Sequence, residues 1–438
     1  MHLQTFLRRI RPWAGIPALG LLASAPVVAE VVTPAAVQRL AESIPRTHPG
    51  IQALQLKADA ARQNAEGIRL WSDPSLRAGG IGYSDRGPAP SEEGDIALGI
   101  TQTLPVFGKE SAARAVARAE SGTAREARET RLEVLKRDLM ERLLEAALLN
   151  RQIELAGTDL EWLRKISGTL EARQASGPVP PASLIRLRND ISEAETRLRL
   201  QRLEVRDLEV RLNRILGRDA DHPSGHWELP ARARPIAFED RWPRQALAME
   251  PRLRLARRLN AEAEARLEAT RRSKRPNLSL GLDSRQYSGD GGLRNGSATL
   301  QMSLPWLNRN GYLKDLDRDR LRLEAGRREV ADLEAEVAME IHHQVTRIEN
   351  ARIRAELAEE TLAPRIRAAQ DASTAAVAGG SGDLREALDL RRQGLEAAHQ
   401  QATAIAEQWS AIAELMLLCG WNEFPAPPSP ATRSPAHP

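Results

Sequence analysis

Histidines, cysteine and closely spaced carboxylates are the side chains that could carry chemistry in this chain, and their spacing argues against most of it. His342 and His343 are adjacent. On a helix such neighbours point about 100° apart, so they cannot share one metal as an i, i+4 pair would. His222 and His226 stand four apart, but Pro223 and Gly225 put them on a loop. The remaining histidines are scattered, and no methionine cluster in the sequence suggests a soft-metal site. A phosphate loop, a dinucleotide fingerprint and a nucleophile elbow are all missing, so no cofactor, no metal and no enzymatic activity are expected. Of the abundant carboxylates, Glu386 and Asp389 stand out because they lie three apart on one helix face.

Composition narrows the class. Arg8, Arg9 and Arg11 precede an apolar run over 14–25, and Val27, Val28 and Ala29 offer small residues before Glu30. This reads as a secretory signal peptide over 1–29, with cleavage after Ala25 as the alternative. The run is too short to span a bilayer as a helix. Without those three arginines the 63 basic residues are reduced to one more than the 59 acidic ones, so charge gives no argument for nucleic acid. The charged residues, 28% of the chain, are interleaved along helical stretches as solvated helix faces require. A lone Cys419 allows no intrachain disulfide, so packing or assembly must stabilise an exported chain.

The chain also repeats itself. His48-Pro49 opens an apolar-periodic stretch that ends at Asp73-Pro74, and Glu250-Pro251 opens one that ends at Arg275-Pro276. Each is followed by two alternating segments ending in Leu-Pro, at Leu104-Pro105 and Leu304-Pro305, then by two long helical patterns around a Gly-rich break. The halves close at Gly217 and Gly420. The matched landmarks are offset by 202, 202, 200 and 203 residues. That period is far longer than a solenoid repeat, so each copy is a large helix, hairpin and helix unit.

From Phe107 to about Gln174 there is no proline and little glycine among dense Ala, Leu, Glu and Arg, which predicts a rod of roughly 100 Å. The return segment carries a heptad seam from Leu184 and Leu187 through Gln201 to Leu212 and Ile215. A matching seam in the second half runs from Leu388 to Cys419 and includes Arg391. Gln201 and Arg391 either set register or face a solvated channel. Between the helices, four segments alternate apolar and polar residues with period two: 75–83, 95–104, 277–283 and 297–304. Trp71, Phe107 and Trp306 sit at the helix-side ends of these strands, and Tyr83 and Tyr287 at the loop-side ends, as in an interfacial aromatic belt. Strands of about ten residues with one apolar face suit a membrane barrel wall. Four of them cannot close, since the smallest single-chain barrels have eight, so strands must be pooled between subunits.

Signal peptide, duplicated halves, hairpins ending in Leu-Pro and heptad helical hairpins together resemble the TolC-like outer-membrane efflux family. The most specific pieces are TLPVFGK at 103–109, LNRILG at 212–217 and GDLREALD at 382–389. The resemblance implies a mainly α fold with a membrane β-barrel contribution. Each chain of a homotrimer would give four strands to a twelve-stranded barrel, continued by a coiled-coil tunnel in the periplasm of a Gram-negative bacterium. It implies a passive duct partnered by a periplasmic adaptor protein and an inner-membrane pump. The tunnel tips that would touch the adaptor are Gly177, Pro178 and Val179 in the first half and Gly379, Gly380, Ser381 and Gly382 in the second. Glu386 and Asp389 align with the family's acidic entrance constriction, where threefold symmetry would make a ring of carboxylates; the alternative is two ordinary helix-surface acids.

The expected organisation is a signal peptide (1–29), repeat 1 (30–220, with a β-hairpin at 75–104 and a helical hairpin at 107–216) and an equatorial linker (221–247). Repeat 2 follows (248–421, with a β-hairpin at 277–305 and a helical hairpin at 311–420), then a Pro-rich disordered tail (422–438). The expected function is exit of small molecules or metal ions to the exterior. A type I secretion duct for polypeptides and a soluble periplasmic coiled-coil adaptor or scaffold are the alternatives.

Overall fold

The computed structural model describes residues 29–81, 95–174, 181–236, 238–287, 292–379 and 381–423. Nearly all of the expected signal peptide, Tyr83, the first hairpin loop, Gly177, Pro178, Val179, Gly380 and the tail from 424 lie outside that set.

Repeat 1 opens with β1 (Glu30–Val31), α1 (Pro34–Ala41) and α2 (Ile44–Thr47), then α3 (Pro49–Gly67), β2 (Ser75–Ile81) and β3 (Asp95–Leu104). A helical hairpin of α4 (Lys109–Gln174) and α5 (Pro181–Leu216) completes it. The linker holds β4 (Trp227–Glu228) and α6 (Arg241–Met249). Repeat 2 has α7 (Pro251–Ser273), β5 (Leu278–Tyr287), β6 (Leu293–Met302), a 3-10 turn (Pro305–Asn308) and α8 (Arg309–Glu356). A π-helical turn (Leu357–Leu362) leads into α9 (Ala363–Gly379), and α10 (Leu384–Cys419) returns.

Local chemistry sets the boundaries. The two X-Pro landmarks are helix starts, with proline at the first position where its missing N–H costs nothing. His48 Nδ1 accepts from the Gly50 and Ile51 amides (3.1 and 3.3 Å) to cap α3, and the Glu250 carboxylate accepts from the Leu253 amide (2.5 Å) to cap α7. The two closing glycines are left-handed C-caps, Gly217 at φ +66° and Gly420 at φ +67°. Each packs against the cap of its own repeat: a side chain at Gly217 would meet the Thr47 and His48 backbone at 2.5 Å, and one at Gly420 would meet Met249 at 2.9 Å. The duplicated landmarks therefore form one duplicated joint.

The strands form a sheet in the order β2-β3-β5-β6, antiparallel throughout. The helices beneath keep that order, since α3 packs on α4, α4 on α7 and α7 on α8. Each strand thus stands on the helix that continues it. Farther from the sheet α4 is flanked by α5 and α10. β1 pairs with β4 in parallel, which ties the start of the chain to the linker. Around this collar the packing is densest: Leu139, Leu143 and Leu144 of α4 meet Ile44 and Trp227, while Ile341 and Ile348 of α8 meet Trp242, Ile412 and Leu415.

Candidate functional site

The sheet has two chemically distinct faces. Residues directly opposed across antiparallel strands share a face. One face carries Leu76, Ile100, Leu282 and Ala298 in one row and Leu280, Leu300 and Gln102 in the next. Leu76, Leu98, Ile100, Leu282 and Leu300 on this face are exposed. The opposite face presents Arg77, Thr101, Ser279, Asp283, Arg285, Ser297, Thr299 and Gln301. A soluble protein would bury such an apolar face, and a barrel in lipid would show it outward. β2 and β6 each have one strand neighbour, so the sheet ends in two open edges. No helix among the described residues is long and apolar enough to cross a membrane.

Trp71 and Trp306 lie at the helix-side ends of the two edge strands and are about half exposed. Phe107 is half-buried, and Tyr287 ends β5 at the far side. Gly108, just past Phe107, takes φ +68°, and a side chain there would meet the Arg272 guanidinium at 2.5 Å. Arg272 donates to the Gly108 carbonyl (3.3 Å), Arg275 to the Phe107 carbonyl (3.1 Å), and Lys109 to Asn277 Oδ1 (2.7 Å). The TLPVFGK segment is thus the joint where β3 turns into α4, clasped by the end of α7.

At the collar, α10 is held to repeat 1 by charge. Arg137 donates to Glu414 (2.9 Å) and Asp138 (2.8 Å). Burial alone would lower the Arg137 pKa, but these two carboxylates outweigh it and raise it. Burial also pushes the neighbouring Glu141 up, against the pull of Arg137. Nearer the tip, Arg391 Nε donates to Asp159 (3.0 Å), and its guanidinium lies 5.5 Å from the centre of the Trp162 ring. Arg391 is therefore a register clamp between α10 and α4. Gln201 is half-buried, and its Oε1 has no hydrogen-bond partner among the described residues.

The second tip is built by glycine. The amides of Ser381 and Gly382 both donate to the Ala376 carbonyl (3.1 and 3.0 Å), and a side chain at Gly382 would meet the Val377 nitrogen at 2.6 Å. Asp383 then caps α10, accepting from the Arg385 amide (2.9 Å). In the first turns, Ala387 and Leu388 are buried while Glu386 and Asp389 are exposed together on the other side. Neither acid is in an ion pair among the described residues.

The outer membrane efflux protein family model matches residues 40–218. The fold extends the likeness through both repeats. The outer membrane protein VceC from Vibrio cholerae superposes with a TM-score of 0.74 at 17% identity, covering 88% of this chain and 96% of its own. Over 40–218 the chain thus matches the outer membrane efflux protein family, and over both repeats it has the fold of such proteins. The CmeC outer membrane channel of Campylobacter jejuni is similar at TM-score 0.76 and 11% identity over 94% of each chain. The MtrE channel of Neisseria gonorrhoeae, in its open state, is similar at 0.69 and 17% over 88% of this chain and 89% of its own. No curated protein matches the sequence.

Two features of the chain escaped sequence reasoning. Met140, Met249 and Met416, three of its six methionines, line one collar cavity of about 270 Å³ together with Lys136, Arg137 and Arg254. Methionines more than 100 residues apart gave no sequence signal of lining one cavity. The second is the π turn. Pro364, one turn on, lacks the amide that would bond the Glu360 carbonyl and would clash with it, so the helix widens there. Pro364 was a visible signal.

Proposed function

We propose that three copies of this chain close into one twelve-stranded barrel over a twelve-helix tunnel. The assembly is a passive exit duct carrying small molecules or metal ions from the periplasm to the exterior. The observation that carries this reading is the pair of open layers. A sheet with an apolar outer face ends in two free edges, β2 and β6. The helices that continue those edges, α3 and α8, are the outermost helices of the layer beneath. Along the flanks, α5 exposes Ile185, Leu200, Leu203 and Val210, and α8 exposes Leu313, Leu321, Met339 and Ile353. A head-to-tail contact repeated three times covers both flanks and pairs both edges.

In this duct Glu386 and Asp389 of three copies form the acidic periplasmic entrance, which concentrates cations and narrows passage. The tips at residues 177–179 and 379–382 meet the periplasmic adaptor, and Trp71, Tyr83, Phe107, Tyr287 and Trp306 mark the two membrane interfaces. The pump supplies the energy. The native mass of the complex extracted from outer membrane in mild detergent tests the assembly. Three copies per particle are expected, and a monomer would overturn it. At the entrance, Glu386→Gln with Asp389→Asn is expected to raise conductance and weaken cation preference. Unchanged values would remove these residues from the gate.

A further inference from the structure

Where the sheet meets the helices, repeat 2 is strongly basic and repeat 1 is nearly neutral. The end of α7 and the residues after it, 269–276, hold Arg271, Arg272, Lys274 and Arg275 without an acid. Residues 303–314, leading from β6 into α8, add Arg309 and Lys314, again without an acid. In repeat 1 the matching stretch 67–74 holds Arg69 and Asp73, paired at 2.5 Å, and 103–114 sets Glu110 against Lys109 and Arg114. The acids nearest the basic joint are engaged elsewhere. Glu268 takes Arg272 (2.9 Å) and Arg271 (3.7 Å), Asp315 takes Arg318 (2.9 Å), Asp317 takes Arg320 (3.5 Å), and Asp283 up the strand faces Arg77 (3.7 Å). Lys274, Arg309 and Lys314 are exposed and have no acidic partner among the described residues.

The helix layer is concave on one side, because a single hollow there is bordered by Ile68 of α3, Val116 of α4, Thr270 of α7 and Arg318 of α8. When the layer closes, that side faces the axis. The reverse side has a groove between α7 and α8 lined by Leu267, Arg271 and Leu323. Tyr312 packs against Leu267 and Leu323, and Lys274 lies 5.6 Å from the centre of its ring. Arg271 and Lys274 are therefore on the convex side. Farther down the same groove Glu264, Glu268 and Glu324 stand among Arg320, Arg327 and Arg328, so the excess of base belongs to the joint. Arg271 and Arg272 have a local reason, since a helix C-terminus favours cations. Arg309 has none: it is the first residue of α8, where the dipole favours an anion, and no acid stands in that first turn.

We propose that the basic joint of repeat 2 is a docking surface for anionic phospholipids of the leaflet nearer the helices. Its bases hold the headgroup phosphates while the acyl chains lie on the apolar face of the sheet directly above. The inference rests on the duct reading, which puts that face in a bilayer. Half-exposed Trp306, between β6 and α8, stands at the same level, where an interfacial indole is expected. Guanidinium and ammonium groups at a membrane surface attract anionic headgroups over about a Debye length, and the arginine fork matches a phosphate. Repeat 1, with its bases matched by acids, contributes apolar surface to the bilayer and little lipid preference.

The test is electron paramagnetic resonance of spin-labelled lipids around the full-length protein reconstituted in phosphatidylcholine vesicles. Any protein in the bilayer immobilises a shell of lipid, selective or not. Spin-labelled phosphatidylglycerol is expected to be enriched several-fold over spin-labelled phosphatidylcholine in that shell, and the enrichment to fade between about 10 mM and about 1 M salt. Lys274→Gln, Arg309→Gln and Lys314→Gln together are expected to remove most of it, while Arg69→Gln with Asp73→Asn at the repeat 1 joint leaves it unchanged. Equal shares of the two lipids in the wild-type shell, an enrichment that persists at high salt, or one that survives in the triple variant overturns the docking surface and leaves the duct standing. A wild-type protein that immobilises no lipid at all overturns the duct reading itself, and this surface with it.

Discussion

The two helical hairpins have the same ancestry of pattern and different mechanics. In repeat 1, α4 runs 66 residues without a break. In repeat 2 the corresponding rod is α8, a π turn and α9, with Pro364 just past the turn. The linker grips that irregular turn. Arg232 faces Glu360 (2.7 Å), Glu356 and Glu359 (3.8 Å each), while Gln408 of α10 brackets Ala233, accepting from its amide (2.9 Å) and donating to its carbonyl (3.2 Å). α4 is a strut packed along its length by α3, α5, α7 and α10. α9 has α10 as its main helix neighbour. Duplication supplied two rods, and a single proline with one arginine made the second one jointed. The jointed rod is also the one whose return helix bears Glu386 and Asp389.

Substitutions at matched positions of the repeats sharpen this contrast. The largest effect is expected at the C-cap glycines. An alanine at Gly217 or at Gly420 costs about 1–2 kcal/mol for its left-handed backbone. At Gly217 it also strikes fixed Thr47 and His48 backbone, whereas at Gly420 it strikes a Met249 side chain that can move. Thermal unfolding of the detergent-solubilised protein should fall further for Gly217→Ala than for Gly420→Ala, and equal losses would mean the two joints are packed alike.

Pro364→Ala should let α8 and α9 join as one α-helix. Up to roughly 3 kcal/mol of proline penalty is removed, less whatever the π turn already relieves. Slower amide exchange over 360–366 is the expected readout. Unchanged exchange would mean that Arg232 and its three carboxylates hold the π turn without help from the proline.

Arg391→Ala removes a clamp whose ends are largely buried and should cost roughly 1.5–3 kcal/mol. The matched Arg188 pairs with Glu171 at 3.1 Å in the open, and Arg188→Ala should cost less than about 1 kcal/mol. Urea midpoints of the two variants separate these outcomes.

The smallest effect concerns pH. The α3 cap needs a neutral imidazole, because His48 Nδ1 accepts two amide hydrogen bonds. Burial, then the charges of Arg131 and Arg214, hold its pKa below the ordinary 6.5. The unfolded chain takes up this proton first, so the cap's contribution, about 1 kcal/mol, is complete above pH 6.5. It is lost as the pH falls from there through the folded value. His48→Asp, which copies the acidic cap of repeat 2, should flatten this part of the stability profile. A profile unchanged by the substitution would contradict the role given to the cap.

Periodicity is what made the fold legible in the sequence. Alternation at 95–104, 277–283 and 297–304 marks strands because successive side chains fall on opposite faces of the sheet, one apolar and one polar. The rod length follows from the absence of proline between Phe107 and Gln174. The heptad positions of α5 from Leu184 to Leu212 do point inward, but the last turns of α10 are buried nearly all round. Ala397, Ala404, Ala411 and Leu418 form a second buried row, which small residues disguise as an indifferent face. Arg391 could not be assigned from sequence, since Asp159 lies 232 residues away and only the packing of α10 on α4 joins them. Burial likewise pushes the Cys419 thiol up to about 12, a property of its neighbours rather than of its motif. Beside the second tip, the spacing of Glu386 and Asp389 was legible, and the ring proposed for them depends on copies that one chain does not contain.

Single-channel recording of the purified complex in a planar bilayer tests the central claim most directly, that open layers from several copies close around one continuous conduit. Discrete, uniform conductance steps from a particle with the mass of three chains are the predicted result. A homogeneous folded protein that inserts into the bilayer and yields no steps, or that remains a single chain in solution, would contradict the account.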